Sequence, residues 1–338
     1  MKKIAIVTDA WHPQINGVVT TLGRTIQYLE GCGYQIKTIN PQLFKSFPCP
    51  SYPEISLSLA GSRALSKELQ KFQPHCIHIA TEGPLGWAAR KVCRKAGFSF
   101  STSYHTRFPE YVRMRWPVPL SLSYSVVRRF HSSAARTMVA TTALKDELTG
   151  RGFNNIVLWS RGVDADLFKP APKKDNGRDR PVFIYVGRVA VEKNIETFLQ
   201  LDLPGTKVVV GDGPARLELA QKYLEVCFTG YKKGKELASL VSSADVFVFP
   251  SLTDTFGVVL LEAMASGVPV AAYPVTGPIE TVVNGVNGYL DDDLRGAALK
   301  ALEVSSESCR NFALRYTWEA CSKQFLGNLL IHDFQFGD

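Results

Sequence analysis

The sequence contains no stretch of about 18 uncharged apolar residues, so no membrane-spanning helix is expected. After Met1-Lys2-Lys3 and the short apolar run Ile4–Val7 it also lacks a small-residue cleavage site, which argues against a signal peptide. Its seven cysteines (Cys32, Cys49, Cys76, Cys93, Cys227, Cys309, Cys321) are odd in number and scattered. None forms a CxxC or Cys/His pair, so neither a disulfide framework nor a zinc site is indicated, and the cytoplasm is the expected compartment. The loop after the first strand pattern is not GxGxxG, so a nicotinamide-binding fingerprint is missing from the place where it belongs. Acids are scarce in the first half: residues 1–168 hold 21 Lys+Arg against 10 Asp+Glu, whereas residues 169–338 hold 18 against 21. Such a basic half raises nucleic acid as a partner, yet no zinc finger, RRM-like or helix-turn-helix signature accompanies it, and none is expected to bind. An anionic membrane surface or a phosphorylated acceptor fits the charge as well.

What is present reads as two α/β halves. A chain of 338 residues with 45% apolar content is long enough for two domains with a core each. Strand patterns fall at 4–8, 35–39, 76–80, 98–104, 137–140 and 156–159, with helical patterns at 18–29, 62–72 and 85–96 between them. The second half restarts at 182–186 and continues with strands at 207–210, 227–229, 246–249 and 268–272. This alternation predicts doubly wound parallel sheets. The Pro-rich stretch 44–53 reads as an irregular loop and the polar, Pro/Gly-bearing stretch 169–180 as a linker. The expected domains are 1–168 joined by 317–338, and 169–316. In open α/β sheets ligands bind outside the C-terminal ends of the strands, which places the site in the cleft between two such domains.

The most informative run is 244–272, ADVFVFPSLTDTFGVVLLEAMASGVPVAA. Val246–Phe249 reads as a strand buried on both faces. A polar loop follows, and a helix opens near Gly257. Asp254 sits just before it and Glu262 about one and a half turns inside. Thr255, Phe256, Gly257 and Val258 bring free backbone N–H groups, which suit a phosphate. The plain alternative is that acids gather at a helix N-terminus to offset its dipole. Gly187-Arg188 ends another strand, with Lys193-Asn194 at the next helix start. A planar guanidinium and a compact ammonium five residues apart can clamp a pyrophosphate, or can form a solvated basic loop. Gly211-Asp212-Gly213-Pro214 is a turn needing glycine's backbone freedom. A lone histidine such as His105 is usually structural, and Glu82 is either an acceptor-orienting acid or a solvated loop acid. The run Asp291-Asp292-Asp293 invites a metal reading. It precedes a helical pattern at 294–302, however, so N-capping and dipole compensation explain it, and no metal site is expected.

The run also resembles the signature of the retaining glycosyltransferases of family 4, whose pattern is Glu, seven residues, Glu, then Ala-x-Gly-x-Pro-Val. Here the second acid is Glu262 and the turn is Ala265-Ser266-Gly267-Val268-Pro269-Val270. The first acid is Asp254, one methylene shorter than the family's. The resemblance spans nearly the whole chain and implies a GT-B fold: two Rossmann-like domains facing a central cleft, with the last helical pattern, 317–330, crossing back to the first. It implies that Arg188 and Lys193 hold the donor diphosphate, that Asp254 meets the sugar hydroxyls, and that Glu262 binds the ribose. Tyr231 and Lys232, after Phe228-Thr229-Gly230, are implied at the nucleobase. Asn16 and Gly17, in the loop Trp11–Val18, are implied at the donor phosphates, and His105 at the reacting centre. Trp11, Glu82 and Arg107 are the candidate acceptor residues. Ser103–Tyr111, Asp254–Gly257 and Ala272–Pro278 look most like bacterial mannosyl- and glucosyltransferases acting on lipid acceptors. The implied donor is therefore GDP-mannose or a UDP-hexose, with no cofactor beyond it. The implied acceptor is a lipid or saccharide, met peripherally on the inner face of the membrane. From Arg107 to Arg136 six arginines are interleaved with Tyr111, Trp116, Leu120, Tyr124, Val127 and Phe130, with Glu110 opposing them. That is either a lipid-facing surface helix or a basic helix packed on its sheet. An epimerase of the same fold and a non-catalytic nucleotide-sugar-binding module are the other classes in play.

Overall fold

The computed structural model describes residues 1–14, 16–49, 52–173 and 177–337. The chain splits into two compact units, Met1–Ser160 with Trp318–Asp338, and Arg161–Thr317.

Unit one is built on β1 (Lys3–Val7), β2 (Gln35–Ile39), the pair β3 (Ser46–Cys49) and β4 (Tyr52–Ser58), β5 (Cys76–Ile79), β6 (Ser101–Ser103), β7 (Arg136–Val139) and β8 (Ile156–Leu158). Its main sheet has the order β2-β1-β5-β6-β7-β8, parallel throughout, with the direction of winding reversed between β1 and β5. The apolar run of β1 follows from burial on both faces. Ala5 and Val7 pack with Leu65, Leu69, Leu85 and Ala89 on one side. Ile4 and Ile6 pack with Leu22, Leu29, Trp159 and Phe325 on the other. Each Val, Leu, Ile or Phe among them contributes roughly 1.5–3 kcal/mol on leaving water.

The C-terminal helix Trp318–Asn328 belongs to this core. The Phe325 ring lies 4.9 Å from His78 and 4.6 Å from Trp159. Asn328 donates to the Leu158 carbonyl at 2.7 Å, and the Ser160 amide donates to Gln324 at 2.7 Å. The stretch 44–53 departs from the irregular loop expected of it. β3 and β4 form an antiparallel ribbon, Ser46 opposite Ser58 and Phe47 opposite Leu57, with its irregularity between Pro48 and Cys49; residues 50 and 51 lie outside the described residues. A two-stranded ribbon with free edges tolerates prolines that a central strand would not.

Unit two carries β9 (Val182–Val186), β10 (Thr206–Val210), β11 (Cys227–Gly230), β12 (Val246–Phe249), β13 (Val270–Ala272) and β14 (Gly288–Leu290), ordered β11-β10-β9-β12-β13-β14 and parallel. Winding reverses between β9 and β12. The edge strand β14 was not expected: it is three residues long and starts at Gly288, where a Cβ would stand 2.1 Å from the Val270 carbonyl oxygen. The stretch expected as a linker is part of this unit. Asp245 pairs with Lys173 and with Arg180 (2.7 Å) and accepts from the Val182 amide at 2.7 Å, while residues 174–176 lie outside the described residues. Residues 161–168, grouped by sequence with the first domain, also pack here. Val163 bridges Thr317, and Arg310 donates to the carbonyls of Ala165 (2.8 Å) and Phe168 (2.5 Å).

His78, fully buried in β5, places its ring nitrogens 2.9 Å from the hydroxyls of Ser101 and Ser103. Burial pulls its pKa down to about 3 from the ordinary 6.5. Between those values the unfolded chain takes up a proton that the native state refuses. The contribution is therefore whole above pH 6.5 and shrinks by about 1.4 kcal/mol per pH unit as pH falls towards 3. Asp9 acts oppositely: burial raises its carboxyl pKa, so acid favours its buried form. Urea unfolding of the wild type and His78→Gln at pH 7, 5.5 and 4 should show the variant losing distinctly less stability on acidification. Parallel pH dependences would show that His78 carries no such linkage.

Candidate active site

In unit two the loops after β9 and β12 meet at the reversal of winding, where a doubly wound sheet offers room for a ligand. Backbone-to-backbone packing fixes the first loop. The Gly187 amide donates to Val210 O (3.0 Å) and the Val189 amide to Asp212 O (2.9 Å). A Cβ at Gly211 would sit 1.8 Å from the Gly187 carbonyl oxygen, and one at Gly213 2.4 Å from that of Val189. The Gly211–Gly213 turn is thus the bed on which the Arg188 loop lies, and glycine is required there by contact.

Asn194 then takes the left-handed conformation (φ 50°), which Asn tolerates better than most residues. Its amide donates to the Pro250 carbonyl at 3.1 Å, and Thr253 Oγ1 donates to the Glu192 carbonyl at 3.1 Å. These two bonds tie the β9 loop to the β12 loop. In consequence Lys193 Nζ stands 2.6 Å from Asp254 Oδ1, both side chains about four-fifths buried. Asp254 Oδ2 is buried with no hydrogen-bond donor among the described residues. Each orphaned acceptor of this kind calls for an explanation.

Gly257, at φ 85°, turns the chain into the helix Val258–Ala265, and no side chain caps that helix. The Phe256 ring is buried, 6.3 Å from Tyr316, so this residue anchors the loop by its side chain and offers its backbone. Thr255 is buried beside it, while Val258 and Glu262 are half-buried on the helix. A Cβ at Gly277 would lie 2.9 Å from the carbonyl oxygens of both Asp254 and Phe256, so the 276–278 turn presses directly on the acid's loop. Arg188 is half-buried and its carbonyl accepts from the Tyr185 hydroxyl at 2.8 Å. Tyr231 is exposed just past β11, and Lys232 lies 4.0 Å from Glu236.

In unit one, Trp11, Glu82 and His105 follow the adjacent strands β1, β5 and β6. The Trp11 loop is held from beneath by Asp9. Its buried carboxylate accepts from the amides of Leu85 (3.0 Å) and Gly86 (3.3 Å) and from the Thr81 hydroxyl (2.9 Å). Asn16 Oδ1 accepts from the amides of Val18 and Val19, both at 3.0 Å, so that oxygen caps the helix Gly17–Gly31. Gly17 is exposed, has no positive φ, and a Cβ built there meets nothing within 4 Å, so the unit itself does not require glycine. His105 is buried edge-on to Trp159, ring centres 5.5 Å apart. Glu82 accepts from or pairs with buried His131 at 3.1 Å, whose other ring nitrogen is 2.9 Å from the Thr102 hydroxyl.

Arg107 is buried and spent on acids: it forms an ion pair with Glu147, and Glu110 stands 3.5 Å away. The sequence reading set only Glu110 against this arginine run. Glu147, from the helix Thr142–Gly150, is the nearer partner and also takes Arg151 at 3.2 Å. Tyr124, Val127 and Phe130 face the core, as a helix packed on its sheet requires. Among the described residues no cluster of His, Cys, Asp or Glu converges as a metal site. Asp293 stands at the N-cap of the helix Leu294–Ala301 without the side-chain bond expected of it. Asp291 instead accepts from the Asp293 amide (3.0 Å) and pairs with Lys300 (3.3 Å).

Residues 15–167 match the model described as Glycosyltransferase Family 4, and residues 169–302 the model described as Glycosyl transferases group 1. The chain is 30% identical over 361 residues to a GDP-mannose-dependent alpha-mannosyltransferase of Corynebacterium glutamicum, covering 96% of this chain and 87% of that one. The chain belongs to glycosyltransferase family 4. This glycosyltransferase is also 31% identical to the sulfoquinovosyl transferase of Arabidopsis thaliana, over 82% of its own length but only 61% of the relative's. An alpha-monoglucosyldiacylglycerol synthase of Streptococcus pneumoniae is 25% identical over 98% of this chain and 85% of that one. Among solved structures, a sucrose-phosphate synthase from Thermosynechococcus elongatus superposes with a TM-score of 0.77 at 22% identity, covering 97% and 98% of the two chains. Anabaena HepE, solved with UDP-glucose, gives 0.70 at 16%, covering 97% and 99%. These neighbours share the GT-B architecture of two parallel-sheet α/β domains.

Three residues that shape these loops carry little sequence signal: Asn194 and Thr253, which stand inside the quoted runs without a role of their own, and Asp9. A Lys-Asn pair at a strand-loop-helix junction is a signal for a left-handed residue. Nothing local marks Thr253 or Asp9, whose partners lie 61 and 72 residues away.

Proposed function

We propose that this chain transfers a hexose, with retained configuration, from a nucleotide-sugar to a lipid-borne acceptor at an anionic membrane surface. The reading rests on Asp254. One carboxylate oxygen is held by Lys193, and the other is buried with no donor among the described residues. A donor-sugar hydroxyl satisfies it, and a diphosphate entering beside Lys193 meets Arg188 and the uncapped helix N-terminus. Glu262 then takes the ribose, and Tyr231 and Lys232 the base. Gly17 lets a phosphate approach the backbone, and Asn16 serves there as the cap that holds Gly17 in place. Trp11 and Glu82 line the acceptor side and His105 the reacting centre. Arg107 holds the acceptor-side helices rather than the acceptor.

In this reaction the bond from C1 to the leaving phosphate oxygen breaks, and a bond from C1 to the acceptor oxygen forms on the same face. The acceptor's proton passes to the departing phosphate oxygen. Arg188 and Lys193 stabilise the charge left on the diphosphate, and the rest of the rate comes from positioning. GDP-mannose is the donor favoured by the mannosyltransferase relative, with UDP-glucose and UDP-galactose next.

The membrane reading is supported by apolar side chains left in solvent. Phe108, Met114, Trp116, Leu122 and Val126 are exposed on the helices Phe108–Arg115 and Leu120–His131 or the turn between them, beside exposed Arg113 and Arg128. Basic and apolar groups in one patch suit an anionic interface. The purified chain should sediment with anionic vesicles containing diacylglycerol, less so as salt rises, and not with neutral ones. In those vesicles one of the three nucleotide-sugars should yield an α-linked glycolipid. Trp116→Ala/Leu122→Asp/Val126→Asp should lose sedimentation while retaining nucleotide binding. Release of a free epimer without acceptor would replace this reading by an epimerase, and binding without turnover by a non-catalytic module.

A further inference from the structure

Unit one carries a second feature outside the loops that hold the site residues, an open groove of about 670 Å³. The helix Pro84–Lys95 lines it with Trp87, Arg90, Lys91, Arg94 and Lys95, and Arg129 joins from the helix Leu120–His131. Gly61 and Ser62 also line it, where the helix Ser62–Phe72 begins without a side-chain cap. Among the described residues none of the five cations pairs with an acid.

Arg90 decides the reading. It is only 7% exposed, and its guanidinium donates to the carbonyls of Phe130 (3.0 Å) and Arg129 (2.7 Å) and to Ser133 Oγ (2.7 Å). It also lies 5.3 Å from the centre of the Trp87 ring. All its partners are neutral dipoles. A buried charge normally has a counter-charge, because dipoles alone offset the loss of water poorly. Here the nearby charges are of its own sign: burial first, and then Arg94 and Arg129, press its pKa downward. Such a cluster is stabilised by a small, multiply charged anion, and arginine forks match phosphate oxygens in pairs.

We propose that this groove binds the phosphate group of an anionic ligand between Arg90, Arg94, Arg129 and the N-terminus of the Ser62 helix, apart from the donor site. Two sources carry that chemistry. A soluble phosphate ester is one. A lipid headgroup is the other, because Leu122, Val126 and Arg129 recur at helical spacing and so run the exposed apolar patch up to the groove's edge.

Trp87 is a local reporter. With tryptophan indoles labelled in ¹⁵N and the Trp87 signal assigned through Trp87→Phe, inorganic phosphate titrated at constant ionic strength should shift that signal saturably. Arg94→Gln and Arg129→Gln, both at exposed positions that leave the core intact, should raise the half-saturating concentration at least fivefold. Arg90→Lys keeps the charge but loses the bonds to Phe130, Arg129 and Ser133 that hold it beside the groove, and should weaken binding similarly. A shift that chloride reproduces, or that both exposed variants keep unchanged, overturns the site. Vesicles then separate the sources. Preference for phosphatidic acid over phosphatidylglycerol at equal anionic fraction, lost in Arg94→Gln/Arg129→Gln, puts the phosphate on a lipid. Phosphate binding without that preference puts it on a soluble ester.

Discussion

Arg188→Ala/Lys193→Ala should lower kcat/KM by a factor corresponding to about 2–4 kcal/mol of transition-state stabilisation, the usual range for a preorganised charge donor. The two single variants should not be equal. On the proposed assignment, Arg188→Ala removes a charge aimed at the leaving diphosphate. Lys193→Ala removes one as well, and it also strips Asp254 of its partner, leaving both carboxylate oxygens without a donor where the side chain is about four-fifths buried. Lys193→Ala should therefore lower thermal stability measurably while Arg188→Ala does not, and Lys193→Arg should recover part of both losses. Turnover near wild type in the double variant would remove the diphosphate clamp from this loop.

Glu262→Gln and Asp254→Asn should separate on bare nucleotide. The proposed ribose contact does not depend on the sugar, so Glu262→Gln should weaken binding of free GDP or UDP by roughly tenfold, the scale of one charged hydrogen bond. Asp254→Asn should leave that affinity intact, because the sugar is absent and the change frees Lys193 from a competing carboxylate. Transfer should fall steeply in Asp254→Asn all the same, since the sugar hydroxyl loses a charged acceptor. Calorimetry with the nucleotide beside a transfer assay reads both. Equal losses of nucleotide affinity in the two variants would mean that the roles of the acids are misassigned.

Much of the architecture was legible because its causes are local. β12 reads as a strand buried on both faces, and it is; β1 reads as a strand, and it too is buried on both faces. The 317–330 pattern read as a helix, and Trp318–Asn328 is one. Where the sequence failed, the cause lies at a distance. β14 exists because β13 offers it an edge, and three residues starting with glycine cannot announce that. The 46–58 ribbon hides behind prolines that a lone hairpin accommodates. At the candidate site, residue types and spacing together with the family resemblance single out Arg188, Lys193, Asp254 and Glu262. The contact of Lys193 with Asp254 could not be read. It depends on Asn194 and Thr253 reaching across to a loop some 60 residues away. Arg107 is a similar case: its charge is visible in the sequence, but its ion pair with Glu147, forty residues on, is not.

The place of the final helix bears on how the chain is made. Phe325 and Cys321 complete a core that also contains Ile4, Ile6 and Leu22, so unit one is closed by residues translated after the whole of unit two. Unit two, continuous from Arg161 to Thr317, has every strand of its sheet in hand before that. The usual order of synthesis, in which the N-terminal domain folds first, is therefore inverted. Until Trp318–Asn328 has been made, the apolar face that Phe325 covers, Ile4, Ile6 and Trp159 among it, stays open to water.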